Sequence, residues 1–322
     1  MNIEPLVSVI IPTKNRFAMV SRAIKSVQGQ THKNLEILVI NDASTDNTAD
    51  LLETMRTRDA RLRIFNNAES LGGAGARNIG LKNARGDYIA FLDDDDEWLP
   101  QKTAAQLKFL MQNPTIQIVS CWHLLKIGDQ LQKIEKPTRI TFSDLLWENF
   151  LGSFSFCLIS RQALKTIGFL DETLPSAQDW DYWLRAAENY KTHIIEQFLV
   201  IYHRHEQARI SSSYIGKVKG SEIIYRKYCA YMTNDCAMHH RKYIYYYQSL
   251  AGQTRLERIK HLINMLPCIT RRQDYLLILN SLGCLLLPSA IVEWFRKLYR
   301  RISMRQKGVY LSNNFEYERK KQ

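Results

Sequence analysis

Cysteine is scarce in this chain and poorly spaced for chemistry. Six occur in 322 residues, Cys121, Cys157, Cys229, Cys236, Cys268 and Cys284, with no CxxC pair and no histidine at zinc spacing. Most have apolar neighbours, so they read as reduced core thiols of a cytosolic chain, which excludes disulfides and structural zinc. Also missing are a G-x-S-x-G elbow, a P-loop G-x-x-x-x-G-K-[ST] and an H-E-x-x-H run. Hydrolase, ATPase and zincin chemistries thereby lose their usual support. There is no N-terminal basic and apolar leader, so nothing predicts secretion. No internal repeat or low-complexity tract breaks the chain. With 45% hydrophobic and 24% charged side chains, a disordered or fibrous protein is excluded.

What is present is unevenly distributed. The net charge is +12, yet residues 1–210 hold 24 Lys+Arg against 25 Asp+Glu, a balance of −1. Residues 211–322 hold 20 against 7, a balance of +13, so the whole basic excess belongs to the last third. Such asymmetry predicts that this end faces a polyanion, either nucleic acid or an anionic membrane surface. A solvated basic tail is the plainer alternative.

The first 120 residues alternate apolar runs with helical patterns. Leu6–Ile11, stopped by Pro12, reads as a strand, as do Leu35–Ile40, Leu62–Phe65, Tyr88–Leu92 and Ile116–Cys121. Helices are expected over Ala18–Val27 and over Thr48–Met55, the latter with Ser44 and Asp46 as capping candidates. Strands alternating with helices predict an α/β fold with a parallel sheet covered on both faces. Ligands of such sheets bind beyond the carboxyl ends of the strands. The polar clusters Thr13–Arg16, Asn41-Asp42 and Asp93–Asp96 fall at those ends. From 140 to 210 the pattern is mixed, and beyond 213 it turns helical, basic and Tyr-rich.

Four segments carry candidate chemistry. Asp93-Asp94-Asp95-Asp96-Glu97 crowds five carboxylates after a predicted buried strand. Adjacent carboxylates repel, and a divalent cation with a preference for hard oxygen ligands, Mg²⁺ or Mn²⁺, relieves them. The alternative is an acidic loop in which Asp96 or Glu97 caps the helix expected near Pro100. A metal held by few carboxylates and completed by phosphate oxygens points to a nucleotide-type substrate. Asn41-Asp42-Ala43-Ser44-Thr45-Asp46 offers Asp42 as an acceptor for a base N–H, with Asp46 as a structural cap, although D-x-S-x-D also makes an ordinary turn. Gly72-Gly73-Ala74-Gly75-Ala76-Arg77-Asn78 opens a helix and could bring backbone N–H groups to phosphate. It does not fit G-x-G-x-x-G, and Arg77 is either a cation near phosphate or a surface arginine. In Gln178-Asp179-Trp180-Asp181, the two acids cannot share a helical face. One can point into a cleft as a general base while the other stays structural; an amphipathic helix burying Trp183 accounts for the pattern equally well.

In order and spacing, Val7–Asn15, Asn41–Asp46, Ala76-Arg77-Asn78, Asp93–Asp95 and Gln178–Asp181 resemble the inverting family 2 glycosyltransferases with the GT-A fold. The resemblance covers about residues 5–212. It implies a Rossmann-like, mostly parallel sheet flanked by helices, with a nucleotide-sugar-binding half at 1–100 and an acceptor-binding and catalytic half at 101–212. Residues 213–322 would be a basic helical, membrane-associated extension. It further implies that Asp42 contacts the uracil of a UDP-sugar, that Pro12, Thr13 and Arg16 lie near the nucleoside, and that Arg77 approaches the donor. Asp93-Asp94-Asp95 matches the D-x-D motif for Mn²⁺ or Mg²⁺, with Asp95 the direct ligand and Asp93 and Asp94 at the ribose or metal. Asp179 matches the catalytic base, and His205 a position near the diphosphate that could join the metal. The processive synthases of the family carry Q-x-x-R-W; this chain contains no Arg-Trp pair, so addition of one sugar is expected.

Tyr275–Val292 is an uncharged, Leu-rich stretch at the lower limit for a spanning helix, broken by Asn280, Ser281, Gly283 and Pro288. Ile291–Ile302 follows, with Ile291, Phe295, Leu298 and Ile302 on one face and Arg296, Lys297, Arg300 and Arg301 largely off it. Such a helix suits the headgroup region of an anionic bilayer, so peripheral attachment at the cytoplasmic face of the inner membrane is expected. A lipid-linked saccharide acceptor in surface-polysaccharide assembly would fit, and nucleic acid would not be a partner. Two other readings compete. A metal-dependent nucleotidyltransferase would show a Gly-rich loop after the first strand, where this chain has none. A non-catalytic nucleotide-sugar or polyanion-binding module would tolerate loss of Asp95 and Asp179.

Overall fold

The structure is a computed structural model that describes residues 4–204, 213–269 and 274–286, the last span without the side chains of 276 and 283–286. The chain forms two compact units. Met1–Thr173 with Gln178–Glu206 make the first, and Leu174–Ala177 with the chain from Gln207 make the second.

In the first unit, β1 (Val7–Thr13), β2 (Leu35–Asn41), β3 (Leu62–Asn66) and β4 (Tyr88–Phe91) lie in the order β3-β2-β1-β4, all parallel. Their crossovers are α1 (Phe17–Gln28), α2 (Thr48–Arg56) and α3 (Gly72–Asn83). β1 and β2 are buried almost throughout, which explains apolar runs without alternation. α1 buries Val20, Ala23, Ile24 and Val27, the i, i+3, i+4, i+7 stripe of a helix lying on a sheet.

β5 (Glu97–Trp98), α4 (Lys102–Gln112), β6 (Ile116–Ile127), β7 (Gln130–Ile134), β8 (Arg139–Ile140), α5 (Phe142–Trp147), β9 (Leu158–Ser160), α6 (Arg161–Ile167), α7 (Gln178–Ala187) and β10 (Lys191–Arg204) complete this unit. β9 enters antiparallel between β4 and β6, and β10 runs parallel to β6. The wholly parallel half is therefore the N-terminal one, and the remainder of the sheet is mixed.

Several boundaries differ from those read in the sequence. β1 does not stop at Pro12 but continues to Thr13, in register with Ile40 and Asn41 of β2. Ile10 and Pro12 point their backbone groups toward β4, whose last paired residue is Phe91 opposite Ile10. The missing N–H of Pro12 thus falls where the ladder has already ended. β6 runs six residues past Cys121, because β10 pairs along it and a turn at Gly128, φ +57°, returns β7 to it. Neither Ser44 nor Asp46 holds the N-cap position of α2, which is Asn47 with no side-chain cap; Asp46, one residue earlier, instead closes a local turn by accepting from Thr48 N–H at 3.0 Å. Neither Asp96 nor Glu97 caps α4, whose N-cap position is Gln101.

The second unit is helical: α8 (Tyr214–Tyr228), α9 (Asn234–Ala251), α10 (Arg255–Met265) and α11 (Tyr275–Leu286). Ser213, Thr233 and Thr254 cap the first three, Thr254 in a reciprocal box with Glu257. Tyr246, Leu250, Leu262, Met265 and Leu277 form its core, with Lys242 and Asp274 paired beside it at 2.7 Å. Among the described residues no helix is long and apolar enough to cross a membrane. The part of the Tyr275–Val292 run beyond Leu286 and the Ile291–Ile302 pattern lie outside the described residues. Cys121, Cys157, Cys236 and Cys268 are buried free thiols, and Cys229 is an exposed one.

The seam between α3 and β1 depends on a glycine. A Cβ on Gly80 would come within 2.3 Å of the Ile10 Cγ2 methyl. Gly80→Ala should therefore destabilise the first unit by about 1–3 kcal/mol through overpacking. Urea denaturation measures it, and an unchanged midpoint would show that α3 does not sit this close.

Candidate functional site

The carboxyl ends of β1, β2 and β4 open on three loops that are tied to one another. Asn15 (φ +53°) and Ala43 (φ +56°) hold left-handed backbone in the first two loops, a conformation Asn adopts more readily than Ala. The Asn15 N–H donates to Ser44 Oγ at 2.9 Å, and Thr45 N–H donates to Asn15 Oδ1 at 2.7 Å. Ser44 is thus a strut between loops, a role its capping pattern did not suggest.

Asp42, at the end of β2, accepts four hydrogen bonds. Asn67 Nδ2 and Leu71 N–H reach Oδ1 at 2.9 and 2.8 Å, while Ser70 Oγ and Gly72 N–H reach Oδ2 at 2.7 and 3.0 Å. Burial alone would raise its pKa, but these donors outweigh it and hold the carboxyl below its ordinary value. The N–H groups of Leu71 and Gly72, at the glycine-rich start of α3, are therefore turned on a carboxylate of the protein. Arg77, one turn further along α3, is no surface arginine. It is buried, ion-paired with Asp93, bonded to Gly73 C=O at 3.0 Å and 4.6 Å from the Phe154 ring centroid. Its Nε is buried and unpartnered.

The acidic loop after β4 distributes its carboxylates in different directions. Asp93 takes Arg77 and the Ser153 hydroxyl, the latter at 3.0 Å. Asp94 accepts from Thr13 Oγ1 at 2.8 Å and from Arg16 Nη1 at 3.2 Å. Burial pushes Asp94 up to about 6; Arg16 opposes that, and Asp95 and Asp93 add to it. Asp95 Oδ2 lies 3.9 Å from the same Arg16 nitrogen, and its C=O accepts from Arg22 Nη2 at 2.9 Å. Thr13 at the end of β1, Arg16 at the start of α1, Asp94 and Asp95 are thereby brought together, and Pro12 directly precedes Thr13 in β1.

Asp96 is different. It is fully buried, accepting from Ser155 Oγ at 2.6 Å and from His203 N–H at 3.2 Å. Ser155 Oγ in turn accepts from Asp93 N–H at 3.0 Å, and the Trp98 indole N–H donates to Ser155 C=O at 2.9 Å. The 3₁₀ turn at Phe154–Phe156 and the end of β10 thus brace the loop. Neither Ser153 nor Ser155 was singled out in the sequence, where a Ser-x-Ser pair in an apolar run carries no signal.

Asp179 lies in the first turn of α7, where Oδ1 accepts from Trp180 N–H at 2.8 Å. It keeps a solvent-facing edge, while burial raises its pKa to about 6. The Trp180 N–H opposes the rise, Asp93 adds to it and Arg77 again opposes it. Asp179 therefore feels the Arg77–Asp93 pair. Asp181 turns away, fully buried and bonded to Arg185 Nε at 3.0 Å, so the two acids diverge as their spacing requires. Trp183 is fully buried. His203 Nε2 lies 2.6 Å from Glu97 Oε1, and His205 is outside the described residues.

Among the described residues no three His, Cys, Asp or Glu side chains come together as a ready ligand set. The donors at hand, Asp93 and Asp95, are hard oxygen groups of the type that hold Mg²⁺ or Mn²⁺ by one or two carboxylates plus substrate phosphate. Burial is the main cause of the Asp94 shift, but the part that Asp95 and Asp93 add is of the kind a divalent cation relieves, so the residues fit a few-ligand site and not a closed cage.

The bracing of Asp96 makes a prediction about stability. Burial, Asp93 and Asp95 push its pKa well above the usual carboxylate range, so a neutral amide resembles the form the fold favours. Asp96→Asn should keep near-native stability. Asp96→Ala strands the Ser155 hydroxyl and the His203 N–H and should lose about 1–3 kcal/mol. Urea melts of both variants decide it; no loss in Asp96→Ala would mean the bonds to Asp96 contribute nothing, and equal losses in both would mean the amide does not replace the acid.

Comparison with known proteins identifies the family and the fold. Residues 8–168 match glycosyl transferase family 2. An uncharacterized glycosyltransferase of Rickettsia conorii is 36% identical over 56% of this chain, which spans only 30% of that protein's length. The Escherichia coli UDP-Glc:alpha-D-GlcNAc-diphosphoundecaprenol beta-1,3-glucosyltransferase WfgD is 31% identical over 66% of this chain and 83% of its own. Among solved structures, S. aureus TarS in complex with UDP-GlcNAc superposes with a TM-score of 0.62, at 18% identity, over 94% of this chain and 92% of that one. The mannosyltransferase PcManGT of Pyrobaculum calidifontis, in complex with GDP-Man and Mn²⁺, gives 0.60 at 17% identity over 97% and 87%. The fold is the α/β GT-A arrangement that the motifs implied. The family match and the WfgD alignment together establish that the chain belongs to glycosyl transferase family 2.

Proposed function

We propose that the chain is a non-processive, inverting transferase. It would move one sugar from a UDP-sugar to a hydroxyl of a lipid-linked saccharide, in the synthesis of a bacterial surface polysaccharide. The observation that carries this reading is Asp179, a carboxylate lifted to about 6 and electrostatically coupled to the Arg77–Asp93 pair at the strand ends. UDP as the nucleotide, a β-linkage and a diphosphoundecaprenol-linked acceptor are supported by the name of WfgD, and UDP also by the TarS complex.

In this reading Pro12, Thr13 and Arg16 border the nucleoside, and Asp42 offers an oxygen to the base N–H in exchange for one of its four present donors. Asp93 and Asp94 approach the ribose. Asp95, with Asp93, would hold Mn²⁺ or Mg²⁺, which when bound neutralises charge on the departing diphosphate; His205 is a further candidate ligand. Arg77 brings a fixed cation to the donor side. Asp179 takes the proton of the acceptor hydroxyl as that oxygen attacks the anomeric carbon from the face opposite the diphosphate. The bond to UDP breaks and the configuration inverts. Attachment to the cytoplasmic face of the inner membrane belongs to this reading, since a lipid-linked acceptor lies there.

The test is transfer by Asp179→Asn. General-base help is worth about 10²–10⁴-fold, so this variant should lose that much transfer while still binding UDP. Transfer near the wild-type rate would remove Asp179 from the mechanism. NMR of the product formed from an α-linked donor should show a β-glycoside, and an α-product would contradict inversion.

The pH profile follows from the same group. The base acts only when ionised, so with a pKa of about 6 kcat/KM should fall as pH drops below about 6 and level off above it. Because folding raises this pKa, protonation favours the folded state and ionisation opposes it. Asp179→Asn should therefore melt no lower than wild type at neutral pH. A lower melting temperature would show that the carboxylate stabilises the fold.

A further inference from the structure

Helix α10 presents two opposite faces within the second unit. Leu262 and Met265 are buried in the core with Leu277 of α11. Leu256, Ile259 and Ile263, and then Leu266 just beyond the helix, are exposed, Leu256 by 78% and Ile263 by 58%. At 100° per residue, Leu256, Ile259 and Ile263 fall within about 60° of one another, so they form one continuous stripe. Arg255 borders the stripe on one side and Lys260 on the other, both exposed, and Glu257 lies further round, engaged in the Thr254 capping box. α11 repeats the arrangement, with Leu277 buried and Tyr275, Leu279 and Leu282 exposed on its opposite face. Single exposed aliphatic residues are ordinary, but two packed helices that each turn such a stripe outward are not.

We propose that the outward stripe of α10, together with that of α11, docks the protein on an anionic lipid bilayer, the aliphatic side chains entering the acyl boundary and Arg255 and Lys260 meeting lipid phosphates. This rests on the lipid-linked acceptor reading above only for its purpose; the physical case is separate. On α10, an apolar stripe edged by cations, on a helix of low overall hydropathy, suits an interfacial position and not a spanning one, and the uncharged α11 adds apolar area to it. The charge agrees, because residues 211–322 carry 20 Lys+Arg against 7 Asp+Glu. Tyr275 at the start of the α11 stripe is the residue type favoured at headgroup level.

The test uses the full chain, sedimented with vesicles of phosphatidylglycerol and phosphatidylethanolamine, or of phosphatidylcholine alone. The wild type should bind the anionic vesicles and bind the neutral ones much more weakly. Leu256→Asp combined with Ile263→Asp should reduce the bound fraction about tenfold or more, with the thermal melt retained because both side chains are exposed. Arg255→Glu with Lys260→Glu should weaken anionic binding alone. Three outcomes overturn the proposal: no binding by wild type, binding unchanged in the Leu256/Ile263 variant, or a variant that changes from dimer to monomer while vesicle binding persists. The second would assign binding to the chain beyond 286, and the third would make the face a contact between copies. Transfer of sugar to a water-soluble acceptor, measured on the same variants, separates this surface from the active site. If the variants transfer normally the catalytic reading stands whatever the vesicles show, and if wild type binds vesicles but transfers nothing, only the catalytic reading falls.

Discussion

Four aspartates in succession at the end of a buried strand are the constraint on which the site depends. Two adjacent carboxylates already oppose each other at close range, and little water reaches these to screen them. The fold answers by turning the four apart and giving each a different set of partners. Asp93 goes to Arg77 and Ser153, Asp94 to Thr13 and Arg16, and Asp96 to Ser155 and the backbone of His203. Asp95 lies at the far reach of Arg16. The partners come from five separate elements, β1, α1, α3, the 153–155 turn and β10, so the acids are held as arranged when all five are in place. Chemical crowding is thereby converted into tertiary specificity.

The same arrangement sets the electrostatics of Asp179. Arg77 is committed to Asp93, so it only partly offsets what burial and Asp93 do to Asp179. A carboxylate placed this way is a stronger base than a solvated one and a liability for stability, which is the usual mark of a functional group. Asp42 stands at the other extreme, with four donors holding it ionised. Two acids of one chain are thus tuned in opposite directions by counting their hydrogen bonds.

The strands and their order of chemistry were legible because buried parallel strands leave uninterrupted apolar runs and their ligands gather at one end. Boundaries were less so. Pro12 reads as a stop in any local rule, and only the early end of the β4 ladder lets it remain in β1. Partners contributed by distant segments could not be read. Asn67 and Ser70 on Asp42, and Ser153 and Ser155 on the acidic loop, are small polar residues whose roles are fixed by contacts 25 to 62 positions away. The glycine-rich start of α3 was legible as a donor of backbone N–H groups, but not that a carboxylate of the same chain would take them. The surface of α10 went unnoticed because its apolar residues also serve a buried core, and only burial separates Leu256 from Leu262.

The most direct measurement is the melting temperature with UDP, GDP and dTDP, each with and without Mn²⁺, for wild type and Asp95→Ala. Ligand at about 100 times its dissociation constant stabilises by about 2.7 kcal/mol, a shift well within reach of a thermal melt. UDP should stabilise the wild type only with Mn²⁺, and Asp95→Ala should lose the effect. A well-folded wild type that responds to no nucleotide would contradict a donor site at the ends of β1, β2 and β4.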